Sequence, residues 1–224
     1  MAFILALETT TKNCSVALFE NEKLLYLMEE KSDGYSHAEQ LTLFIEELIK
    51  TAHFSLKDIN ALAVSKGPGS YTGLRIGTST AKGLCYSLDI PLISISTLKA
   101  MAFSMALSEK YDLFCPMIDA RRMEVFSAVY DKNNNEIRAV KADVVNKQTY
   151  IDYLTGQVLF FGDGAIKCKD IISHQNAQFL EGVYPSAKDL GIIANAKFEN
   201  KDFEDVAYFE PYYLKDFLAG KKKV

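Results

Sequence analysis

A glycine-rich loop is the first stretch of this chain whose residue types and spacing could serve chemistry. Residues 65–77 read SKGPGSYTGLRIG and lie where a predicted strand gives way to a predicted helix. Two glycines free the backbone to take positive φ, and the proline between them stiffens the turn. Free N–H groups at the start of the helix attract anions, so a phosphate site is one interpretation. The loop residues are Gly67, Pro68, Gly69, Ser70, Tyr71 and Thr72.

The glycine spacing matches neither of the common nucleotide-binding loops. A P-loop needs Gly-Lys followed by Ser or Thr, which this stretch lacks, and the dinucleotide fingerprint spaces its glycines differently. The alternative interpretation is a structural turn that brings a helix close to a sheet. The loop residues leave both interpretations open.

The helix behind the loop carries a ridge of small residues. Gly73, Gly77, Ala81 and Cys85 recur at every fourth position and therefore share one face. Each glycine in this helix, Gly83 included, costs about 1 kcal/mol relative to alanine, so the ridge needs a reason. The ridge predicts close approach of another backbone, and the candidates are the preceding predicted helix, a partner protein or a ligand.

Composition and charge limit the classes of function. The 224 residues carry a formal net charge of −4, so the chain lacks the positive field expected of a stand-alone nucleic-acid binder. Four cysteines without a C-x-x-C pair indicate reduced core thiols in a cytoplasmic protein. The first residues lack the basic start of a signal peptide, and no apolar run reaches the roughly 18 residues of a membrane span. The three lysines at residues 221–223 are typical of a solvated chain end.

Hydrophobic periodicity predicts the elements that position these residues. Ser36 and Glu39 form a capping box before a run of apolar residues at helical spacing. The first half is predicted to contain strands at 3–7, 14–20, 23–30, 59–65 and 91–95, and helices at 37–53, 72–88 and 97–108.

The second half repeats the pattern of strands followed by helices. Strands are predicted at 113–118, 123–130, 136–145 and 157–161, with helices near 147–154, after the turn at 162–164 and at 186–199. Two such halves predict duplicated α/β lobes, residues 1–108 and 109–224, and the last helix is expected to be able to return to the first lobe.

Several stretches, taken together, resemble the TsaB (YeaZ) family of bacterial tRNA threonylcarbamoyladenosine biosynthesis proteins. The GPGSYTGLR sequence is the most specific of them, and the resemblance covers essentially the whole chain. The matching stretches are residues 4–18, 36–41, 65–77, 81–84, 96–98, 119–122, 124–125, 162–165 and 210–214.

The resemblance implies a two-lobed α/β fold of the actin-like, sugar-kinase and Hsp70 (ASKHA) class, with ribonuclease-H-like lobes. It also implies a partner of the catalytic subunit TsaD, which works with the small ATPase TsaE. Together they transfer a threonylcarbamoyl group to N6 of an adenosine beside the tRNA anticodon. Family members form homodimers when alone, through the same first-lobe helices that bind TsaD.

The resemblance also implies that the metal site of the catalytic relative is absent. That relative holds its metal with two histidines at i and i+4 on a helix, a spacing that places both imidazoles on one face. The corresponding positions here are Thr97 and Met101, and the three histidines are His37, His53 and His174, none of them four apart. We therefore expect neither a metal nor a cofactor on the isolated chain, and ATP or ADP only in the assembled complex.

The turn after the first strand is the remaining support for nucleotide chemistry. Glu8, Thr9 and Thr10 follow that strand, and the carboxylate could orient hydrated Mg²⁺ near a nucleotide. Actin-like phosphotransferases have a glycine-containing turn here, the family more often has Asp at the acidic position, and β-branched threonines resist positive φ. A hydrogen-bonded turn carboxylate is the alternative for Glu8. An ATP-binding phosphotransferase is the alternative function.

Two further groups of residues leave alternatives open. Ser70 lies on a turn, as the nucleophile of a peptidase does, but no histidine is positioned in the sequence as its base; His37 is expected to be exposed or paired with Glu39. Residues 119–124 contain two arginines between two acids, which form either an ion-pair cluster or a contact for a partner or an acidic ligand.

We interpret the chain as a non-catalytic scaffold subunit that contacts tRNA only through its complex and contacts no membrane. Gly77→Leu is expected to break the heterodimer while the monomer stays folded; an unfolded monomer would mean that the ridge is internal. The predicted partner-binding residues are His37, Leu41, Phe44, Gly73, Arg75, Gly77 and Ala81.

Overall fold

The first half of the chain forms a five-stranded sheet with helices on both faces. The computed structural model describes residues 1–31, 37–106 and 110–215. The strand order is β3-β2-β1-β4-β5; β2 is antiparallel to both β1 and β3, whereas β4 pairs in parallel with β1 and β5. The elements are β1 (Phe3–Glu8), β2 (Asn13–Glu20), β3 (Lys23–Lys31), α1 (His37–Thr51), β4 (Ala61–Gly67), α2 (Tyr71–Leu88), β5 (Leu92–Ser96) and α3 (Thr97–Ala106).

Residues alternate between the two faces of this sheet, as the period of a strand requires. Leu5 and Leu7 of β1 pack into a cluster with residues of α1 and α2. Ile4 and Ala6 point the other way and pack with residues of α3 and of a helix from the end of the chain. Because both faces are covered, β1 is almost wholly buried and reads as a continuous apolar run.

The second half forms another five-stranded sheet, in the order β10-β9-β6-β7-β8. β6, β7 and β8 form an antiparallel meander, and β9 pairs in parallel with β6 and β10. Helix α3 contacts strands of both sheets. The elements are β6 (Leu113–Asp119), β7 (Glu124–Asp131), β8 (Glu136–Val144), β9 (Val158–Phe161), β10 (Ala177–Leu180) and α4 (Gly191–Glu199).

Three helices predicted in the second half are shorter than expected. The segment at 147–154 contains only the 3-10 turn Ile151–Tyr153. The segment after residue 164 contains only the 3-10 turn Ile166–Cys168. The helix predicted at 186–199 begins as the 3-10 turn Ala187–Asp189 and becomes α-helical in α4.

The sequence did not predict β10, a four-residue strand with alternating exposure at the edge of the second sheet. The remaining predicted strands, and the helices at 37–53 and 72–88, are confirmed to within two residues or so at each end. Ser36, residues 107–108 and the lysines at 221–223 lie outside the described residues. Among the described helices, none is both long and apolar enough to cross a membrane.

The end of the described chain returns to the first sheet. Helix α4 contacts β1, β3, β4 and β5, and Ala194 is fully buried there. Beyond it, Glu204 forms an isolated bridge with Leu92, and the segment 204–215, called the C-terminal segment below, continues towards the glycine loop.

Candidate functional site

The glycine loop closes onto the turn after β1. Ser70 caps α2 by accepting a hydrogen bond from the N–H of Gly73 (3.3 Å), and its own N–H donates to the carbonyl of Thr10 (2.7 Å). Gly67 has φ +107°, as predicted, but positive φ is not what Gly69 needs. A Cβ at Gly69 would lie 2.5 Å from the Thr10 carbonyl oxygen, so close approach is its physical requirement.

The small-residue ridge of α2 faces inwards. A Cβ at Gly73 would lie 1.9 Å from the carbonyl oxygen of Thr9, and one at Gly77 would lie 2.4 Å from the Thr9 hydroxyl. That hydroxyl donates a 2.7 Å hydrogen bond to the carbonyl of Gly73. Ala81 and Cys85 continue the ridge into the core. The prediction that Gly73, Gly77 and Ala81 contact a partner is therefore corrected: their neighbours belong to the first sheet and the Thr9 turn.

Glu8 is buried, and its carboxylate is used inside the protein. One oxygen accepts from the N–H (2.6 Å) and the hydroxyl (2.5 Å) of Thr10, and the other accepts from the hydroxyl of Ser65. Burial raises the pKa of Glu8 above its usual value, while these hydrogen bonds act in the opposite direction. Thr9 and Thr10 are also buried. This geometry is that of a turn carboxylate, the alternative considered from the sequence.

The predicted contact residues of α1 are mostly internal as well. His37 is 1% exposed, and its Nε2 lies 2.7 Å from the carbonyl oxygen of Thr11, so the expectation of an exposed or Glu39-paired histidine is wrong. Burial lowers the pKa of this histidine. Leu41 is fully buried and Phe44 is half-buried against the same core, which leaves neither as a freely exposed contact.

Five of the six exposed residues of α2 lie on its opposite side, at spacings of three or four, and the sixth is Ser87. Arg75, which is predicted to bind the partner, belongs to this set, and a Cβ at Gly83 would meet nothing within 4 Å. The sequence analysis did not identify the other exposed residues of this helix as a surface. The helical periodicity that revealed the buried ridge also specifies the residues on the opposite face. We call this set the outer face of α2: Thr72, Arg75, Ser79, Gly83 and Tyr86, of which Tyr86 is 86% exposed.

The C-terminal segment covers the other side of the loop. The N–H of Tyr212 donates to the carbonyl of Lys66 (2.7 Å), and the ring of Tyr213 lies 4.8 Å from that of Tyr71. The guanidinium of Arg75 lies 4.2 Å over the Tyr71 ring. The loop is thus packed between the turn after β1 and the C-terminal segment, which is what a structural turn requires.

The β6–β7 hairpin is the other motif of the sequence that carries charge. Asp119 pairs with Lys167 (2.5 Å), and Glu124 pairs with Lys215. The sequence alternatives for residues 119–124 were an ion-pair cluster and an acidic-ligand contact. The two acids belong to ion pairs, as the first alternative predicted, whereas Arg121 and Arg122 take no part in these pairs.

Metal chemistry has no candidate centre in the parts of the chain that the structure describes. No three His, Cys, Asp or Glu side chains are grouped there as metal ligands. Thr97 and Met101, the positions at which the resemblance implies a lost pair of metal-binding histidines, are buried in the core. All four cysteines are free and buried.

Comparison with known proteins relates the whole chain to one pathway. A family model described as TsaD, tRNA N6-adenosine threonylcarbamoyltransferase, matches residues 34–223. The tRNA threonylcarbamoyladenosine biosynthesis protein TsaB of Escherichia coli is 32% identical, over 98% of this chain and 97% of that protein. The structure of YeaZ from Pseudomonas aeruginosa superposes with a TM-score of 0.84 at 25% identity, covering 96% of this chain and all of that one.

A more distant structure agrees with the fold alone. The polyphosphate/ATP-glucomannokinase of Arthrobacter covers 90% of this chain with a TM-score of 0.52 at 11% identity. The two sheets with their helices therefore define an α/β protein of the actin-like, sugar-kinase and Hsp70 class. Within that class, the chain belongs to the TsaB (YeaZ) family, whose members serve tRNA threonylcarbamoyladenosine biosynthesis.

Proposed function

We propose that this chain is the non-catalytic scaffold subunit of the bacterial complex that transfers a threonylcarbamoyl group to N6 of an adenosine beside the tRNA anticodon. Its role is to bind and stabilise the catalytic TsaD subunit and to help recruit the TsaE ATPase. The observation that carries the proposal is family membership over the whole chain, combined with a glycine loop whose polar groups are used internally.

The state of the loop supports a structural rather than a catalytic role. An anion at the start of α2 would need free N–H groups, but that of Ser70 already donates to Thr10. A Mg²⁺-orienting carboxylate would need oxygens facing a ligand, but those of Glu8 accept from Thr10 and Ser65. These contacts favour the scaffold over an ATP-binding phosphotransferase, and ATP or ADP then belongs to the assembled complex.

The outer face of α2 is the surface we assign to the partner. A small residue such as Gly83 lets a second helix approach closely, and the neighbouring Tyr86 offers a large ring that is rigid and exposed. On α1, which packs beside α2, Leu43 is 60% exposed. In the absence of TsaD, the same face serves a homodimer. The complex works in the cytoplasm and carries the tRNA.

Size-exclusion chromatography with purified TsaD tests the proposal. The chain is expected to co-elute with TsaD, and Gly83→Leu is expected to abolish co-elution by filling the close-approach position. The variant should remain folded because leucine is a better helix former than glycine. Ala139→Leu, at an exposed position of β8 in the second sheet, is the matched control and should co-elute normally. Failure of the unmodified chain to co-elute, with TsaD activity unchanged by its addition, would refute the scaffold role.

A further inference from the structure

The tip of the β6–β7 hairpin carries two consecutive arginines in a backbone conformation that their side chains disfavour. Arg121 has φ +72° and Arg122 has φ +49°, and both side chains are exposed. Residues with a Cβ rarely take a positive φ, and glycine, asparagine and aspartate are the usual residues at such positions. The presence of arginine at both of these disfavoured positions indicates that the positive charges at the tip have a functional role.

Contacts from the hairpin itself and from residues 162–167 hold this tip. Asp119 accepts a hydrogen bond from the N–H of Arg121 (2.8 Å), and the ammonium of Lys167 donates to the carbonyls of Arg122 and Glu124 (2.7 Å each). The turn at 162–164 packs directly below, since a Cβ at Gly164 would lie 2.9 Å from the backbone of Ile118. The tip is therefore a built and rigid element rather than a loose loop.

The charges around the tip are unevenly compensated. Lys167 neutralises Asp119, and Lys215 of the C-terminal segment neutralises Glu124. Within the described residues, no carboxylate is paired with either guanidinium of the tip. The two acids nearest in sequence are thus occupied by lysines, which leaves two adjacent positive charges directed to solvent.

We propose that Arg121 and Arg122 form a phosphate-binding tip that contacts the phosphodiester backbone of RNA. A guanidinium presents a planar fork of N–H donors that matches two phosphate oxygens, and such contacts position a protein on nucleic acid without reading sequence. Two such forks on a rigid turn contact neighbouring phosphates. The tip gives this mildly acidic chain a local RNA contact that its net charge does not indicate.

The proposed function favours RNA over an acidic peptide as the occupant of this tip. A guanidinium fork binds phosphate and carboxylate groups alike, and the complex to which we assign this chain acts on a tRNA. The inference rests on the proposed function for this one point, whereas the positive φ angles of the two arginines and their exposure belong to the structure.

Fluorescence anisotropy with a labelled, unmodified tRNA transcript tests the inference on the isolated full-length chain. Binding is measured from low to moderate salt. The double variant Arg121→Asn, Arg122→Gly removes both charges and places residues that tolerate positive φ at both positions, so it should fold at least as well as the parent. We expect its affinity to fall at least tenfold, and the slope of log K against log salt to decrease by roughly 1.4–1.8, the value for two lost phosphate contacts.

Lys110→Gln, Lys132→Gln is the matched control. It removes the same charge from exposed positions at the opposite end of β6 and β7, and its affinity should stay within twofold of the parent. Equal losses in both double variants would reduce the effect to net charge and overturn the proposal, as would no tRNA binding by the parent chain at low salt.

Two further measurements distinguish an RNA contact at the tip from a nucleotide site there and from the scaffold role. A fluorescent ATP analogue that binds the parent but not the arginine variant, while tRNA binding is unchanged, would make the tip a nucleotide site and overturn the proposal. Co-elution with TsaD should be unaffected in the arginine variant, since the outer face of α2 is intact. Loss of the scaffold role would therefore appear in the chromatography, and loss of the RNA contact in the anisotropy.

Discussion

Single glycines in α2 have opposite roles according to the side of the helix they occupy. Gly73 and Gly77 allow the carbonyl and hydroxyl of Thr9 to approach the helix, so the turn after β1 is locked to the loop. Gly83 faces solvent, where a glycine contributes nothing to the stability of the isolated chain. The same residue type is thus structural at two positions and available to a partner at the third.

Alanine substitutions distinguish these roles by stability. Gly73→Ala is expected to destabilise the chain by about 3 kcal/mol, because its Cβ would overlap a backbone oxygen that the sheet holds in place. Gly83→Ala is the matched control and should stabilise by about 1 kcal/mol through helix propensity. Urea unfolding followed by circular dichroism measures both. Similar midpoints for the two variants would contradict the inward direction of the ridge.

At the scale of elements, short turns and edge strands carry the charged groups that respond to pH. The 3-10 turn Ala187–Asp189 packs against α3 and β2, and Asp189 is half-buried there. Burial raises the pKa of Asp189 from 3.8 to about 7, helped by the nearby carboxylates of Glu8 and Glu29. In β8, a second buried carboxylate, Asp143, has the opposite shift.

Because its pKa is raised, Asp189 makes the free energy of unfolding larger at low pH than at neutral pH. Between about pH 4 and pH 7 the folded chain keeps a proton on Asp189 that the unfolded chain has released, so this contribution to stability is lost as pH rises across that window. Asp189→Asn removes the titration. The difference in unfolding free energy, parent minus variant, should therefore decline from pH 4 to pH 7 in urea titrations. A difference that is flat over this range would contradict the burial of the carboxyl.

The Arg138–Asp143 pair stabilises the second sheet from inside. Their bidentate contact, at 2.6 and 2.8 Å, joins a cluster with the hydroxyls of Ser127 and Tyr150, and both charged side chains are 10% exposed. Burial acts to raise the pKa of Asp143, but its hydrogen bonds from Arg138 and Ser127 outweigh this and hold the pKa below its usual value.

Removing one partner of this pair leaves a buried charge. Arg138→Ala should destabilise the chain by about 3 kcal/mol, whereas Lys141→Ala, at an exposed position of the same strand, should change stability by less than about 0.5 kcal/mol. Chemical denaturation at pH 7 compares the two. An Arg138→Ala variant as stable as its control would show that the carboxylate is solvated.

At the scale of the whole molecule, segments distant in sequence close the glycine loop. The turn after β1 lies on one side, and the C-terminal segment lies on the other through Tyr212 and Tyr213. The loop therefore resembles a phosphate-binding turn in sequence while its donors and acceptors serve the protein itself.

The isolated chain is accordingly expected not to bind ATP with Mg²⁺ at micromolar affinity. Isothermal titration calorimetry measures this directly, with an ATP-binding kinase in the same buffer as the positive control. Filling the site would require breaking the hydrogen bonds of Thr10 to Ser70 and Glu8, which are buried. Micromolar binding would favour the phosphotransferase interpretation instead.

The sequence predicted where the helices and strands lie better than it predicted which neighbours their faces contact. Strong periodicity gave α1, α2 and nine of the ten strands, because it depends on the chain alone. It could show that Gly73, Gly77 and Ala81 share a face, but not that this face meets Thr9, since that contact joins residues 64 apart. His37 and Leu41 were misassigned for the same reason. The second-half helices were predicted too long because apolar spacing over two turns does not distinguish a 3-10 turn within a loop from an α-helix.

The return of α4 to the first sheet affects how the chain is made on the ribosome. Ile4, Ala6 and Ile93 are covered in part by Ala187, Leu190 and Ala194. At a translation rate of about 5–20 residues per second, the interval between completing β5 and completing α4 is on the order of 10 s. During that interval part of one apolar face of the nascent sheet stays uncovered. We therefore expect a ribosome-associated chaperone to bind the nascent chain at this stage.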